Sequence, residues 1–444
     1  MKRLGFIVTS AAWLILVATS EGSSVSSTAG ASDPVDVIYP EIESLYIDLH
    51  RNPELAFHEQ RTAGVLAERV KALGYDVSTG VGGTGVVAIL KNGPGPVVML
   101  RTELDALPIE EKTGLPFAST VKTKSDSGET VPVGHMCGHD LHMSAWVGTA
   151  KLMAQNREHW HGTLILVGQP AEEIVSGATA MLKDGLFIRF PKPDYALGVH
   201  DEPSLPAGVI GFHAGYFRAA ATNLDLTVFG RGGHGASPQQ AIDPIVIAAR
   251  IVLGLQTIVS RENNPFDPAV ITVGSIHGGA VWNVIPDQVK LQLTVRSLNP
   301  DTQKRLLSAI EREARGEGQA ANAPKEPVLE IRSSTDAVYN EPALTLRAAS
   351  AARSALGVDH VVEMPALMGS EDYSQFGLAG VHAVLLHIGA VDPARLAASR
   401  KSGVPLPGLH SPQWAPEREP TLKAAIRAET AILMELLRGA QGRS

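Results

Sequence analysis

Four short apolar runs carry ionisable residues at or near their carboxyl ends, and this pattern constrains the fold more than any other property of the chain. Residues 97–100 lead into Arg101-Thr102-Glu103-Leu104-Asp105-Ala106-Leu107-Pro108, residues 161–168 into Gln169-Pro170-Ala171-Glu172-Glu173, and residues 195–199 into His200, while the run 383–388 contains His387. Runs this short, bounded by Gly and Pro, read as strands. In open α/β sheets, ligands bind beyond the carboxyl ends of strands. The chain therefore reads as α/β, with a site where its strand ends converge. Glu172 and Glu173 are adjacent. Adjacent carboxylates repel unless a cation or a proton lies between them, and at a strand end one can face a metal while the other faces a bound molecule.

The stretch Gly134-His135-Met136-Cys137-Gly138-His139-Asp140 adds softer donors. Cys137 is the only cysteine in 444 residues and so makes no internal disulfide. Thiolate and imidazole suit zinc and neighbouring divalent metals. Gly138 lets the backbone bend so that both side chains turn to one point. Asp140 reads as the N-cap of a helix over 141–153, which puts the donors at a helix N-terminus and favours a deprotonated thiol. Alone, Cys-x-His is equally what a buried cysteine beside a chance histidine gives. Repetition decides: Cys137, His139, Glu173, His200 and His410 all fall at strand ends or on loops beside them. His50 and His58 flank a break at Pro53 in the otherwise helical 35–73 and read as surface or supporting residues.

The net charge of −8 and the lack of a basic run argue against nucleic acid as a partner. Lys2 and Arg3 precede an apolar run over 6–17, and Ala18-Thr19-Ser20 follow. That is the order of a secretory signal peptide, expected to occupy 1–20. The run is short for a membrane span, so no stable span is expected after cleavage. Residues 21–34, rich in Ser, Ala and Gly, read as a disordered spacer. The expectation is an exported protein, periplasmic or extracellular, whose lone cysteine serves chemistry or lies buried.

The middle of the chain changes pattern. A strand over 222–229, an apolar helix over 243–259, strands over 270–276 and 289–295, a charged helix over 301–315 and a strand over 328–331 give the order β-α-β-β-α-β of a ferredoxin-like unit. A Gly/Ala/Pro-rich turn fills 316–327. The expected division is a main domain from 35–213 and 334–444, with 214–333 inserted into it.

The motifs Asp105-Ala106-Leu107-Pro108, Cys137-Gly138-His139-Asp140, Glu172-Glu173, Gly232-Gly233-His234, Asn283-Val284-Ile285-Pro286, Ser370-Glu371-Asp372 and Leu409-His410-Ser411-Pro412 span most of the chain. Together they resemble the zinc- or manganese-dependent amidohydrolases that include hippurate hydrolase, aminoacylase-like enzymes and auxin-amino-acid hydrolases, relatives of glutamate carboxypeptidases. The resemblance implies a zinc-peptidase-like domain with helices on both faces of a mixed sheet, and an inserted ferredoxin-like lid. It implies Cys137, His139, Glu173, His200 and His410 as ligands of two divalent metal ions, Zn²⁺ or Mn²⁺ with Co²⁺ or Ni²⁺ admitted. Glu172 matches the general base, His234 and Asn283 match lid residues that reach the substrate, and Glu103, Asp105 and Asp140 stand behind the ligands. In some relatives the lid dimerises and offers its histidine to the neighbouring subunit, so a homodimer through 214–333 is an option. Glu103 stands where the family more often has Asp, and Met136 where it more often has Ala.

With that resemblance, the expected chemistry is amide hydrolysis of a small N-acyl amino acid. Metal-held water loses a proton to Glu172, which later protonates the leaving amine, and His234 hydrogen-bonds the developing oxyanion. Arg296, at the end of a predicted strand, suits a substrate carboxylate through a two-pronged contact. Its alternative is an ion pair on its own sheet, and that of His234 is an ordinary glycine-rich turn. Three rival functions stay open here: a metallo-dipeptidase or carboxypeptidase of the same fold, an exported metal-binding protein without turnover, and a cysteine hydrolase using Cys137 with His139. The last requires nucleophile and base two residues apart to meet at hydrogen-bond distance.

Overall fold

The computed structural model describes residues 33–438. The expected signal segment and nearly all of the spacer lie outside the described residues. Pro34 does not belong to the spacer: it opens the helix Pro34–Arg51, a first-turn position that suits its fixed φ and missing N–H.

Eight strands form one mixed sheet in the order Asp76–Val81, Gly85–Asn92, Gly162–Gln169, Val97–Glu103, Tyr195–Pro206, His382–Val391, Ile210–Phe212 and Val361–Glu363. The central run from Gly162–Gln169 to His382–Val391 is parallel. Strand alternation sends Val98, Leu100, Leu166 and Leu197 to one face, against Leu45, Trp146 and Leu433. Met99, Ile165, Val167 and Ala196 go to the other, against Met181, Leu186 and Phe376. Both faces are therefore covered by helices, as a parallel sheet requires. Each Val, Leu, Ile, Met or Phe side chain so removed from water contributes about 1.5–3 kcal/mol.

The helix His139–Gln155 is buried almost all round, because it lies between the sheet and the helices Pro34–Arg51 and Arg418–Leu436. Gly148 allows the closest approach: a Cβ there would come within 2.6 Å of Ile426 Cδ1.

Residues 220–335 build a second, four-stranded sheet with its own core. Its antiparallel order is Ala269–His277, Gln288–Ser297, Ala220–Phe229, Val328–Thr335. The helices Pro244–Thr257 and Pro300–Ala320 cover one face through Ile247, Ile251, Leu306 and Ile310. Two element boundaries here differ from the sequence reading by more than two residues. The second helix runs on to Ala320, since Ala314 continues its apolar stripe and Gly318 packs under Pro327. The last strand reaches Thr335, past its expected end at 331 and past the expected domain limit of 333. In the main sheet, His200 does not end its strand. Tyr195–Pro206 stays paired with His382–Val391 as far as Pro206, and His200 lies level with His387.

Candidate metal centre and active site

Gly138 adopts φ +75° as the N-cap of His139–Gln155, and a Cβ there would lie 2.4 Å from Asp201 Oδ2. The tight left-handed corner is what turns Cys137 and His139 to the same side. Asp140 is thus not the N-cap. The helix starts two residues earlier than expected, and the Asp140 carboxylate accepts from His50 Nδ1 at 2.7 Å. His50 is 1% exposed, with Glu111 3.1 Å from its other nitrogen. Burial opposes its charge, but the carboxylates of Asp140 and Glu111 outweigh burial and raise its pKa to about 10. His58 is exposed and pairs with Asp126.

The five donors meet. Cys137 Sγ lies 3.6 Å from His200 Nε2 and 3.3 Å from His410 Nε2. Glu173 Oε2 is 3.3 Å from His410 Nε2, and Glu173 Oε1 is 3.9 Å from His139 Nε2. The donor sets Cys137–His139–His200 and Cys137–Glu173–His410 each have their atoms within 4.8 Å of one another. Cys137 belongs to both.

Neighbours fix the donors' orientation. His139 Nδ1 donates to the Asp105 carbonyl and His200 Nδ1 to the Asp201 carbonyl, each at 2.8 Å. These bonds leave Nε2 of each ring as the open acceptor. The Asp105 carboxylate accepts from the backbone N–H of Glu172 and of Glu173, both at 3.0 Å. Positive φ angles at Ala171 (50°), Val175 (50°) and His410 (64°) concentrate backbone strain on the same loops. The His410 amide donates to Met136 O at 2.7 Å, which ties the C-terminal loop to the cysteine loop.

His139 Nε2 and Glu173 Oε1 are buried without a hydrogen-bond partner. Bare, convergent nitrogen and oxygen acceptors are costly to bury. With a thiol and further imidazoles they form the donor set of Zn²⁺ and related ions, so the residues fit a divalent metal. Burial and the nearby Glu173 push the Cys137 thiol well up. This outweighs the thiolate-favouring helix N-terminus expected from sequence and leaves a cation as the partner that would stabilise a thiolate.

Glu172 is 7% exposed, with Oε2 3.8 Å from His139 Nε2. Burial, then the carboxylates of Glu371 and Glu173, raise its pKa well above the usual carboxylate range. Behind it Arg101 is fully buried, bonded to Gln169 at 2.9 Å, Glu371 at 2.9 Å and Asp372 at 3.3 Å, and also to Glu103. Glu103 reaches on to His142 Nδ1 at 3.1 Å, and His142 Nε2 accepts from the Asp201 amide at 2.8 Å. The longer acid at 103 therefore spans from the arginine to a histidine that steadies the chain beside His200.

A cavity of about 380 Å³ opens over the donors, with Arg218, Asn223 and Arg296 among its lining residues. Arg296 has no acidic partner on its sheet; its Nη1 donates to Met368 O at 2.9 Å. Arg218 escaped the sequence reading, although it too ends a short strand, Gly215–Arg218. His234 and Asn283 do not line this cavity. They are exposed at a separate two-stranded ladder, Gly233–His234 with Val284–Ile285, so a single chain does not bring them to the donors.

Residues 99–406 match peptidase family M20/M25/M40. The chain is 38% identical to hippurate hydrolase of Campylobacter jejuni over 281 residues, covering 63% of this chain and 70% of that one. It is 35% identical to N-acetylcysteine deacetylase of Bacillus subtilis over 337 residues, covering 74% and 83%. Among solved structures it is similar to a dinuclear metal binding peptidase of the M20 family from Bacillus subtilis, with a TM-score of 0.73 and 27% identity over 90% of this chain and 99% of that one. The fold, the metal-donor geometry and these matches converge, and the chain belongs to peptidase family M20/M25/M40 as a metal-dependent amidohydrolase.

Proposed function

We propose that the protein cleaves the amide bond of N-acyl amino acids, releasing a carboxylic acid and a free amino acid, in a cleft that holds two divalent cations. One observation carries this reading. Glu172 stands beside two donor sets, Cys137–His139–His200 and Cys137–Glu173–His410, without belonging to either, and shares the cleft with the acid-free Arg296. Bound there, the cations would lower the pKa of a water and polarise the acyl carbonyl. Glu172 accepts the proton of that water and returns it to the leaving amine. Arg296 holds the amino-acid carboxylate. The relatives named hippurate hydrolase and N-acetylcysteine deacetylase support the same substrate class.

Kinetics on matched substrates test it. An N-acyl amino acid should be a better substrate than its α-amide by about tenfold for each ~1.4 kcal/mol of lost contact. Arg296→Ala should raise KM for the acid and narrow that gap. Equal kcat/KM for acid and amide would mean a general amidase, and faster turnover of free dipeptides would mean a dipeptidase.

His234 enters the same proposal through a second chain. Trp282, next to Asn283, is 97% exposed, as are Val281 (52%) and Val284 (52%) in the same stretch and Leu253 (71%) on the helix Pro244–Thr257. Exposed apolar surface of this kind, which runs from the loop at Val281 and Trp282 onto the strand Val284–Ile285, supports an interface between two inserted units, and the resemblance supports a histidine offered across it. Sedimentation is expected to find a dimer. Trp282→Asp should yield monomers with turnover down about a hundredfold, the scale of one lost oxyanion donor. A fully active monomer contradicts this.

A further inference from the structure

The hydrolysis proposed above gives Arg218 no task, yet several residues hold it in place. It is 9% exposed and lines the cleft with Glu172, His200 and Arg296. Its Nη1 donates to His387 Nε2 at 3.3 Å and its Nη2 to Ser370 O at 3.4 Å. Arginine only donates, so His387 accepts at Nε2 and carries its proton on Nδ1, which donates to Glu202 Oε2 at 3.0 Å. His387 and Glu202 are themselves buried, at 0% and 6% exposure. Gly369 lies against the guanidinium, where a Cβ would come within 3.2 Å of Nη2. The group is thus clamped between an imidazole and bare backbone.

What it lacks is a directly paired anion, although the Glu371 carboxylate lies near enough to feel its charge. Its Nε is buried without a partner, and neither Arg218 nor Arg296 forms an ion pair among the described residues. Met368 and Ser370, which anchor the two side chains, flank Gly369, so one short loop holds both guanidinium groups. Two like charges fixed side by side in a partly buried cleft are unfavourable until anions pair with them. Each planar fork matches one carboxylate.

We propose that Arg218, positioned by His387 and Glu202, is a specificity-determining residue that selects substrates with a second carboxylate besides the one held by Arg296. The second acid group belongs either to the amino-acid side chain or to the acyl group. This rests on the N-acyl amino acid reading of the cleft.

Steady-state kinetics of the metal-reconstituted full chain on isosteric pairs test the proposal. One pair is N-acetylglutamate and N-acetylglutamine. The other is N-succinylalanine and N-succinamoylalanine, its terminal amide. In at least one pair the diacid should have the higher kcat/KM by about tenfold or more, the scale of one charged contact. Which pair shows it identifies the end of the substrate that faces Arg218. Arg218→Ala should bring that ratio close to one, mainly through KM, whereas Arg296→Ala should preserve it. Should the alanine variant not fold, Arg218→Lys, which keeps the charge without the fork, should retain only part of the preference. His387→Ala should lose most of the preference through a higher KM for the diacid, with kcat little changed. Ratios near one for both pairs in the unmodified enzyme overturn the proposal, as does a preference that survives Arg218→Ala. If the α-acid is still preferred over the α-amide in those cases, the N-acyl amino acid reading stands. Absence of turnover with every N-acyl amino acid overturns both.

Discussion

Glu172→Gln is expected to keep its metals and its fold and to lose turnover by about 10²–10⁴-fold, the contribution of one positioned acid–base group. The substitution is nearly isosteric. The backbone bond that holds residue 172 to Asp105 at 3.0 Å does not involve the side chain. What disappears is the only change that matters for proton transfer: an amide oxygen cannot take a proton from water at neutral pH. Glu173→Gln should behave differently. Its carboxylate faces Cys137, His139 and His410 within one donor set and its immediate neighbour, so metal content should fall along with rate. Measuring kcat and metal content for both variants separates base from ligand. If Glu172→Gln retained most of its kcat, the base would have to be sought elsewhere.

The donors were legible in the sequence because each repeats one physical pattern, an ionisable side chain at the end of an apolar run or on the loop beside it. That pattern carries long-range information: parallel strands in one sheet deliver their carboxyl ends to one place. The β-α-β-β-α-β order was legible for the related reason that its strands alternate and its helices do not. Arg218 carried the same signal on a strand too short to stand out, Gly215–Arg218. Its partner His387 lies 169 positions away in sequence, and Glu202, which holds His387, lies 16 positions away, separations that no local pattern reports. For a similar reason the sequence left His50 as either a surface or a supporting residue, and the fold decides for support. An isolated histidine on a helix looks solvated until the fold brings Asp140 and Glu111 against it. The helix start at His139 rather than after Asp140 turned on a backbone property, since Gly138 at φ +75° already performs the entry that an N-cap side chain would otherwise stabilise. The departure at Glu103 was visible as one extra methylene, but its consequence, a reach from Arg101 to His142, needed the tertiary structure.

Removing the metals is expected to abolish activity and to destabilise the chain. Without a cation, His139 Nε2 and Glu173 Oε1 are left as buried acceptors with nothing to bind, and burial returns the proton to Cys137. A ligand present at a thousand times its Kd stabilises the folded state by about 4 kcal/mol, so chelation should lower the melting temperature as well as the rate. Adding back Zn²⁺ or Mn²⁺ should restore both. Alkylation of Cys137 in the loaded protein is expected to be slow, because that sulfur is 6% exposed and committed to both donor sets; a cysteine hydrolase would instead lose activity to alkylation and be indifferent to chelation. The direct measurement is elemental analysis of the active protein, with kcat followed as metal is withdrawn and returned. The structure predicts about two divalent metals per chain and a rate that falls and recovers with their number. A metal-free preparation with full activity would contradict it.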